Sequence, residues 1–324
     1  MNTKTIKISA LICAALLILS CAQKKKSGNL PQRTFPMVTV PGIIVDPEQR
    51  AEYMTVHYWD AFLDTATVAG YLCDSSHCSG VERRALEQVI SNYASAFDYA
   101  GPQVWKKSME RLYSRLVLCR GRIPGYALAD SISALVDLYL YDPNSPVRNE
   151  DAYGYFLKAK AGDESLSREE RLRADREADL CALCSVGTPA ADFRFFDKNG
   201  KEYRMSEFTS PFTVLFFSNP GCHACREIRE TLTGNEFFDG LTDDGTVSVL
   251  NVYVDEELDE WFKYMNEYPD NWYNGYEPDY VVRGDVLYHL RAIPSLYLLD
   301  KDKTVLLKDT TPQKIILALD NLLQ

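Results

Sequence analysis

The sequence predicts an all-α N-terminal half joined to an α/β C-terminal half. Apolar residues recur at helical spacing from about Pro41 to Cys184. Beyond Gly187-Thr188-Pro189 that period gives way to continuous apolar runs of strand length, Phe212 to Phe217 and Val247 to Val254. Two polar turns, Asp197-Lys198-Asn199-Gly200 and Asp300-Lys301-Asp302-Lys303, sit between strand-like residues and add hairpins to this second half.

A chain of 324 residues has room for two cores. With 46% apolar and 25% charged residues it has the composition of an ordinary folded protein, which excludes bulk disorder and a multi-pass membrane protein. A formal net charge of -11 argues against a nucleic-acid partner, which basic residues would have to neutralise.

The first residues read as a targeting segment. Lys4 and Lys7 precede an almost unbroken apolar run from Ile8 to Leu19, too short to span a bilayer and of the length of a signal-peptide core. The run ends Ile18-Leu19-Ser20-Cys21, which resembles the lipobox of bacterial lipoproteins. That resemblance implies cleavage after residue 20, a diacylglyceryl group on Cys21, and a lipid anchor in the envelope of a Gram-negative bacterium with the protein facing the periplasm. Residues 21–40, with Lys24-Lys25-Lys26, lack an apolar period and read as the lipid-anchored linker.

Export sets the redox context, since disulfides persist outside the cytoplasm. Setting aside Cys13 in the leader and Cys21, the remaining cysteines are Cys73, Cys78, Cys119, Cys181, Cys184, Cys222 and Cys225. This odd number cannot pair completely within one chain.

Residues 41–185 are expected to form the helical domain, for which the sequence suggests no activity. Asp46-Pro47-Glu48 is a helix start. Further helices are predicted roughly over 81–100, 104–119 and 126–141, divided by Gly101-Pro102 and by Arg122-Ile123-Pro124-Gly125. Ser167 and Glu170 have the spacing of a capping box and open a charged helix that reaches Cys181. Tyr53, His57, Tyr58 and Trp59 are read as core, and Cys73 with Cys78 as a small structural disulfide. Cys181 and Cys184 are either a second pair at the junction or small core residues.

Residues 186–324 carry the chemistry. Asn219-Pro220-Gly221-Cys222-His223-Ala224-Cys225 lies between the Phe212–Phe217 run and a helical segment. A strand-to-helix corner puts Cys222 at a helix N-terminus, where unpaired N–H groups and the helix dipole stabilise the nucleophilic thiolate. Cys225 lies one helical turn on, so its sulfur can resolve a mixed disulfide formed at Cys222. His223 is expected to add positive charge beside the thiolate.

Here the sequence resembles the thioredoxin superfamily, and within it the exported, membrane-attached thiol–disulfide oxidoreductases of bacteria (TlpA/ResA-like). The resemblance covers about Gly187 to Gln324 and has a second anchor, Ile293-Pro294-Ser295, before the last hairpin. It implies that Pro294 is cis and faces the redox pair, and that the backbone of Ile293 pairs with substrate. The substrates so implied are exported proteins with disulfides, and electrons would come from an upstream membrane donor; no cofactor is called for. The helical half resembles an uncharacterised N-terminal domain of related lipoproteins, which implies architecture and no activity.

The chain departs from the family pattern in four places. Gly221 stands where most relatives have Trp, and Ala224 where proline is usual. Phe216 stands where thioredoxin has a buried proton-carrying Asp, which leaves the proton acceptor for Cys225 unassigned. An additional segment over 255–286, rich in Trp and Tyr, separates the redox pair from Pro294 and is expected to wall the substrate groove.

Other readings of the motif weigh less. Zinc held by Cys181, Cys184, Cys222 and Cys225 would need a far shorter interval between the two pairs. Haem attachment requires His after the second cysteine, where Ser185 and Arg226 stand. The alternatives kept are an oxidase that donates its disulfide, and a binding lipoprotein whose Cys222–Cys225 disulfide is structural.

Overall fold

The computed structural model describes residues 30–122, 127–284 and 286–324. The expected leader over residues 1–20 and the Cys21 lipidation position lie outside the described residues. Among the described residues no helix is long and apolar enough to cross a membrane.

The N-terminal half is built from α1 (Pro47–Val56), α2 (Arg83–Ser95), α3 (Pro102–Arg122), α4 (Leu128–Val136), α5 (Glu150–Ala161) and α6 (Arg168–Cys181). Asp46 caps α1 by accepting the Gln49 N–H, and Pro47 occupies the first helical position, where its missing N–H has no bond to lose. At α6 the capping box forms in both directions between Ser167 and Glu170. Trp59 lies in the core with Tyr58 packed against it, while Tyr53 and His57 stack at 4.0 Å nearer the surface.

Helix α5 was not foreseen. It buries Ala152, Tyr153, Phe156 and Leu157 together with Glu150 and Asp151, so no single apolar stripe marks it in the sequence. It also packs tightly on α6: a Cβ on Gly154 would stand 3.0 Å from the Cys181 Cβ.

The half is not wholly helical. A short antiparallel hairpin, β1 (His77–Cys78) and β2 (Val81–Glu82), turns through Ser79 and Gly80. Cys73 and Cys78, expected to form a disulfide, stand beside one another as thiols. Other contacts also close the loop: the Gly80 N–H bonds Leu72 O at 2.6 Å, and Arg33 grips Ser79 through its carbonyl and hydroxyl at 2.8 and 2.7 Å. Burial pushes the Cys78 thiol up to about 12, with Cys73 beside it.

The C-terminal half contains β3 (Arg194–Phe196), β4 (Glu202–Arg204), β5 (Phe212–Phe217), α7 (His223–Thr233), α8 (Glu236–Asp243), β6 (Val247–Tyr253), α9 (Leu258–Tyr264), β7 (Tyr273–Tyr276), β8 (Ser295–Asp300), β9 (Val305–Leu307) and α10 (Pro312–Leu323). Its strands form one mixed sheet in the order β4-β3-β7-β6-β5-β8-β9. β5 lies between β6, parallel, and β8, antiparallel, and both its faces are covered, which is why its sequence is continuously apolar. Val214 and Phe216 join the core beneath the helices, with Leu232, Phe238, Ile315 and Leu319. Leu215 and Phe217 face the opposite core, with Phe193, Tyr288 and Tyr297.

Residues 255–286, expected to wall the substrate groove, also contribute to the sheet. Part of them becomes β7, inserted between β3 and β6, so the sheet itself absorbs Tyr273–Tyr276. The two halves meet at Lys308. Its ammonium is buried 3.0 Å from Glu150 and 3.1 Å from Asp151, and donates to Cys181 O and Leu183 O at 2.7 and 2.8 Å.

Candidate redox site

The site forms where the C-terminal end of β5 meets the N-terminal end of β8. Phe217 pairs with Ser295 across the two strands, so the chain leading to Cys222 and the Ile293–Pro294 peptide emerge at the same edge. That peptide is cis. Ile293 and Cys222 pack against one cluster of buried residues that includes Cys225. The sheet thus brings together the residues singled out on both sides of the long intervening segment.

Cys222 is the N-cap of α7, and its sulfur accepts the Cys225 N–H at 3.2 Å. Cys222 is half-buried, whereas Cys225 is 1% exposed. Burial, then the hydrogen bond with Cys222, pushes the Cys225 thiol well above its ordinary value. The two cysteines are therefore chemically unequal: one is partly exposed, and the other holds its proton inside the domain.

His223 is exposed, and its ring nitrogen lies 3.5 Å from Glu227. Any influence on the Cys222 sulfur acts through solvent-screened charge.

Gly221 explains itself locally. Its φ of 68° lies in the left-handed region, where a Trp would be strained. The space beside it is lined by the Tyr264 ring, 3.8 Å from where a Gly221 Cβ would lie. An aromatic from the additional segment thus stands next to the redox motif without preceding Cys222 in sequence. Around it a small cavity of about 50 Å³ is bordered by Cys222, Arg229, Tyr264, Glu267 and Tyr268.

Behind the pair lies a polar chain that sequence reasoning did not find. Tyr268 Oη and Ser218 Oγ are 3.0 Å apart, Ser218 donates to Asn251 Oδ1 at 2.5 Å, and Asn251 Nδ2 donates to Asn274 Oδ1 at 3.1 Å. Burial raises the Tyr268 phenol, the Ser218 bond pulls it back, and Cys225 and Cys222 raise it further. Phe216 is fully buried and lies directly opposite Asn251, the β6 member of this chain, so the strand offers no acid at that position. The signal available in the sequence was the concentration of Tyr, Trp and Asn over 255–286, which does not say which of them turns inward.

Cys181, Cys184 and Cys225 belong to three different buried clusters, so these sulfurs do not share a centre. Among the described residues one group of possible metal ligands, Glu150, Cys181 and His289, has its donor atoms within 4.8 Å of one another. It does not fit a cation. Lys308 and Arg291 already lie 3.0 and 3.2 Å from the Glu150 carboxylate, and burial holds the Cys181 thiol far up.

Residues 18–182 match a family described as Domain of unknown function (DUF5106). A thioredoxin-like protein from Bacteroides caccae ATCC 43185, solved as a crystal structure, is 35% identical over 89% of this chain and 99% of its own, with a TM-score of 0.74. The C-terminal domain of an uncharacterized protein from Bacteroides fragilis NCTC 9343 is 45% identical over 43% of this chain and 99% of its own, with a TM-score of 0.42. The thioredoxin domain of a thiol-disulfide oxidoreductase from Bacteroides vulgatus is 19% identical over 43% of this chain and 99% of its own, with a TM-score of 0.39. No curated protein matches the chain.

Proposed function

We propose, from the premise that this chain belongs to the thioredoxin-like proteins carrying the DUF5106 region, that it is a thiol–disulfide oxidoreductase that reduces or isomerises disulfides of exported proteins through Cys222 and Cys225. The observation that carries this reading is the inequality of the two cysteines at the edge of the sheet. A half-buried cysteine at the cap of α7 is placed to attack a disulfide, and a buried thiol waits one turn behind it. Pro294 and Ile293, at the same edge, offer backbone to an extended substrate.

The test is reactivity. In reduced protein at neutral pH, alkylation is expected at Cys222 while Cys225 is spared until the protein is unfolded. Equilibration with dithiol buffers then gives the potential of the pair. A value near thioredoxin's, about -270 mV, identifies a reductase; one near about -120 mV identifies a disulfide donor. A pair that stays oxidised in mild reductant and labels at neither cysteine overturns the proposal in favour of a structural disulfide.

Lipid anchoring at Cys21, a periplasm-facing location and an upstream membrane electron donor belong to the same proposal and rest on the leader sequence. Cys21→Ser is expected to move the protein from the membrane to the soluble fraction; retention on membranes through a high-salt wash argues against the anchor.

A further inference from the structure

Between β7 and β8 the described residues contain no helix or strand, so the approach to Pro294 is not held by a backbone ladder. Tyr288 anchors the segment to its own domain through a 2.6 Å bond to Ala191 O. Beyond it, Leu290 and Ile293 pack on this domain's own core and Ser295 opens β8, while the side chains of His289 and Arg291 are met by the helical half. Glu150, the first residue of α5, places its carboxylate 2.6 Å from His289 Nδ1 and 3.2 Å from Arg291 Nε. Two residues earlier, Arg148 donates to both carboxylate oxygens of Asp309 at 2.9 and 3.4 Å. Asp309 in turn accepts the Ser295 hydroxyl at 3.2 Å, immediately after the proline. The Arg291 guanidinium lies over the ring of Tyr141, 4.0 Å from its centroid. Glu150 is only 5% exposed, so its ion pair with Arg291 is little screened by solvent.

We infer that Glu150 and Arg148 are positioning residues of the redox site: from the helical half they hold the His289–Ser295 segment, and so set how an extended disulfide substrate meets Cys222. The inference rests on the oxidoreductase reading and gives the helical half a task within it. Neither residue touches the cysteines. Each acts through the segment that carries Pro294, where a displacement of about an ångström weakens substrate alignment severely.

The experiment uses the full chain with Glu150→Gln and, separately, Arg148→Gln, the second of which leaves the buried Lys308 pairs intact. Amide exchange is measured over 289–296. Turnover is measured with a disulfide-bonded peptide and with a small oxidised dithiol that needs no backbone pairing, and the alkylation rate of Cys222 is followed in parallel. The expected result is faster exchange over 289–296 and a KM for the peptide raised about tenfold. The small disulfide and the Cys222 alkylation rate should stay within about twofold. Unchanged exchange in both variants, or an equal loss with both disulfides, overturns the inference. Wild-type protein that turns over neither disulfide defeats the oxidoreductase reading instead, and the exchange measurement still decides whether the helical half holds this segment.

Discussion

Cells producing the Cys225→Ser variant should accumulate disulfide-linked complexes between this protein and its substrates, and cells producing Cys222→Ser should show none. The asymmetry follows from the burial of the two sulfurs. In the proposed reaction the Cys222 thiolate attacks one sulfur of a substrate disulfide; an S–S bond forms at Cys222, the substrate bond breaks, and the leaving thiolate takes a proton from solvent. Cys225 then gives up its proton and attacks Cys222 Sγ, releasing the second substrate thiol and leaving the Cys222–Cys225 pair oxidised by two electrons. Serine at 225 stops the sequence after the first exchange, whereas serine at 222 prevents it from starting. Either change should lower turnover on the order of 10³-fold or more. Non-reducing electrophoresis checks the result, since the complexes run as high-mass bands that reductant removes. Equal trapping by both variants, or trapping by Cys222→Ser alone, would reverse the roles.

Lys308→Ala should lower stability at neutral pH by about 3–5 kcal/mol, the cost of leaving buried carboxylates without their partner. The ammonium neutralises Glu150 and Asp151 and satisfies two carbonyls at the end of α6, so its loss opens the junction between the halves. Burial pushes the Glu150 carboxyl up, but the His289 contact and the charges of Lys308, His289 and Arg291 more than reverse this and leave it below the usual carboxylate range. A lowered folded value means that the stability from this carboxylate is complete above its unfolded value of about 4.3 and is lost as pH falls through the folded one. The difference between wild type and variant should therefore be full at pH 7 and shrink below about pH 4. Denaturant unfolding across this range checks both parts. A loss under about 1 kcal/mol at neutral pH would mean that the cluster is solvated in solution.

Local order was legible wherever one stretch of chain contains its own reason. The apolar run of β5, the caps of α1 and α6, the turn Asp197–Gly200 and the Cys222–Cys225 spacing could each be read without reference to distant residues. Ile293-Pro294 could be placed because it precedes a strand and hairpin that are themselves local signals. Spacing suggested the Cys73–Cys78 pairing but could not register that Arg33 and a hairpin also close that loop. Helix α5 was missed because a helix covered on several sides carries no stripe.

By itself the sequence determined a helical half, an α/β half and a strand-to-helix corner that exposes one cysteine of a pair, because period, turn chemistry and capping are properties of neighbouring residues. Only the tertiary structure decided what surrounds that pair. The inward turn of Tyr268, the Tyr264 ring beside Gly221, the joining of β7 to the sheet and the reach of Glu150 to His289 all connect residues far apart in the chain. Such contacts are selected by the shape and charge left over when separate elements pack, and a linear pattern holds no record of which element will lie opposite which.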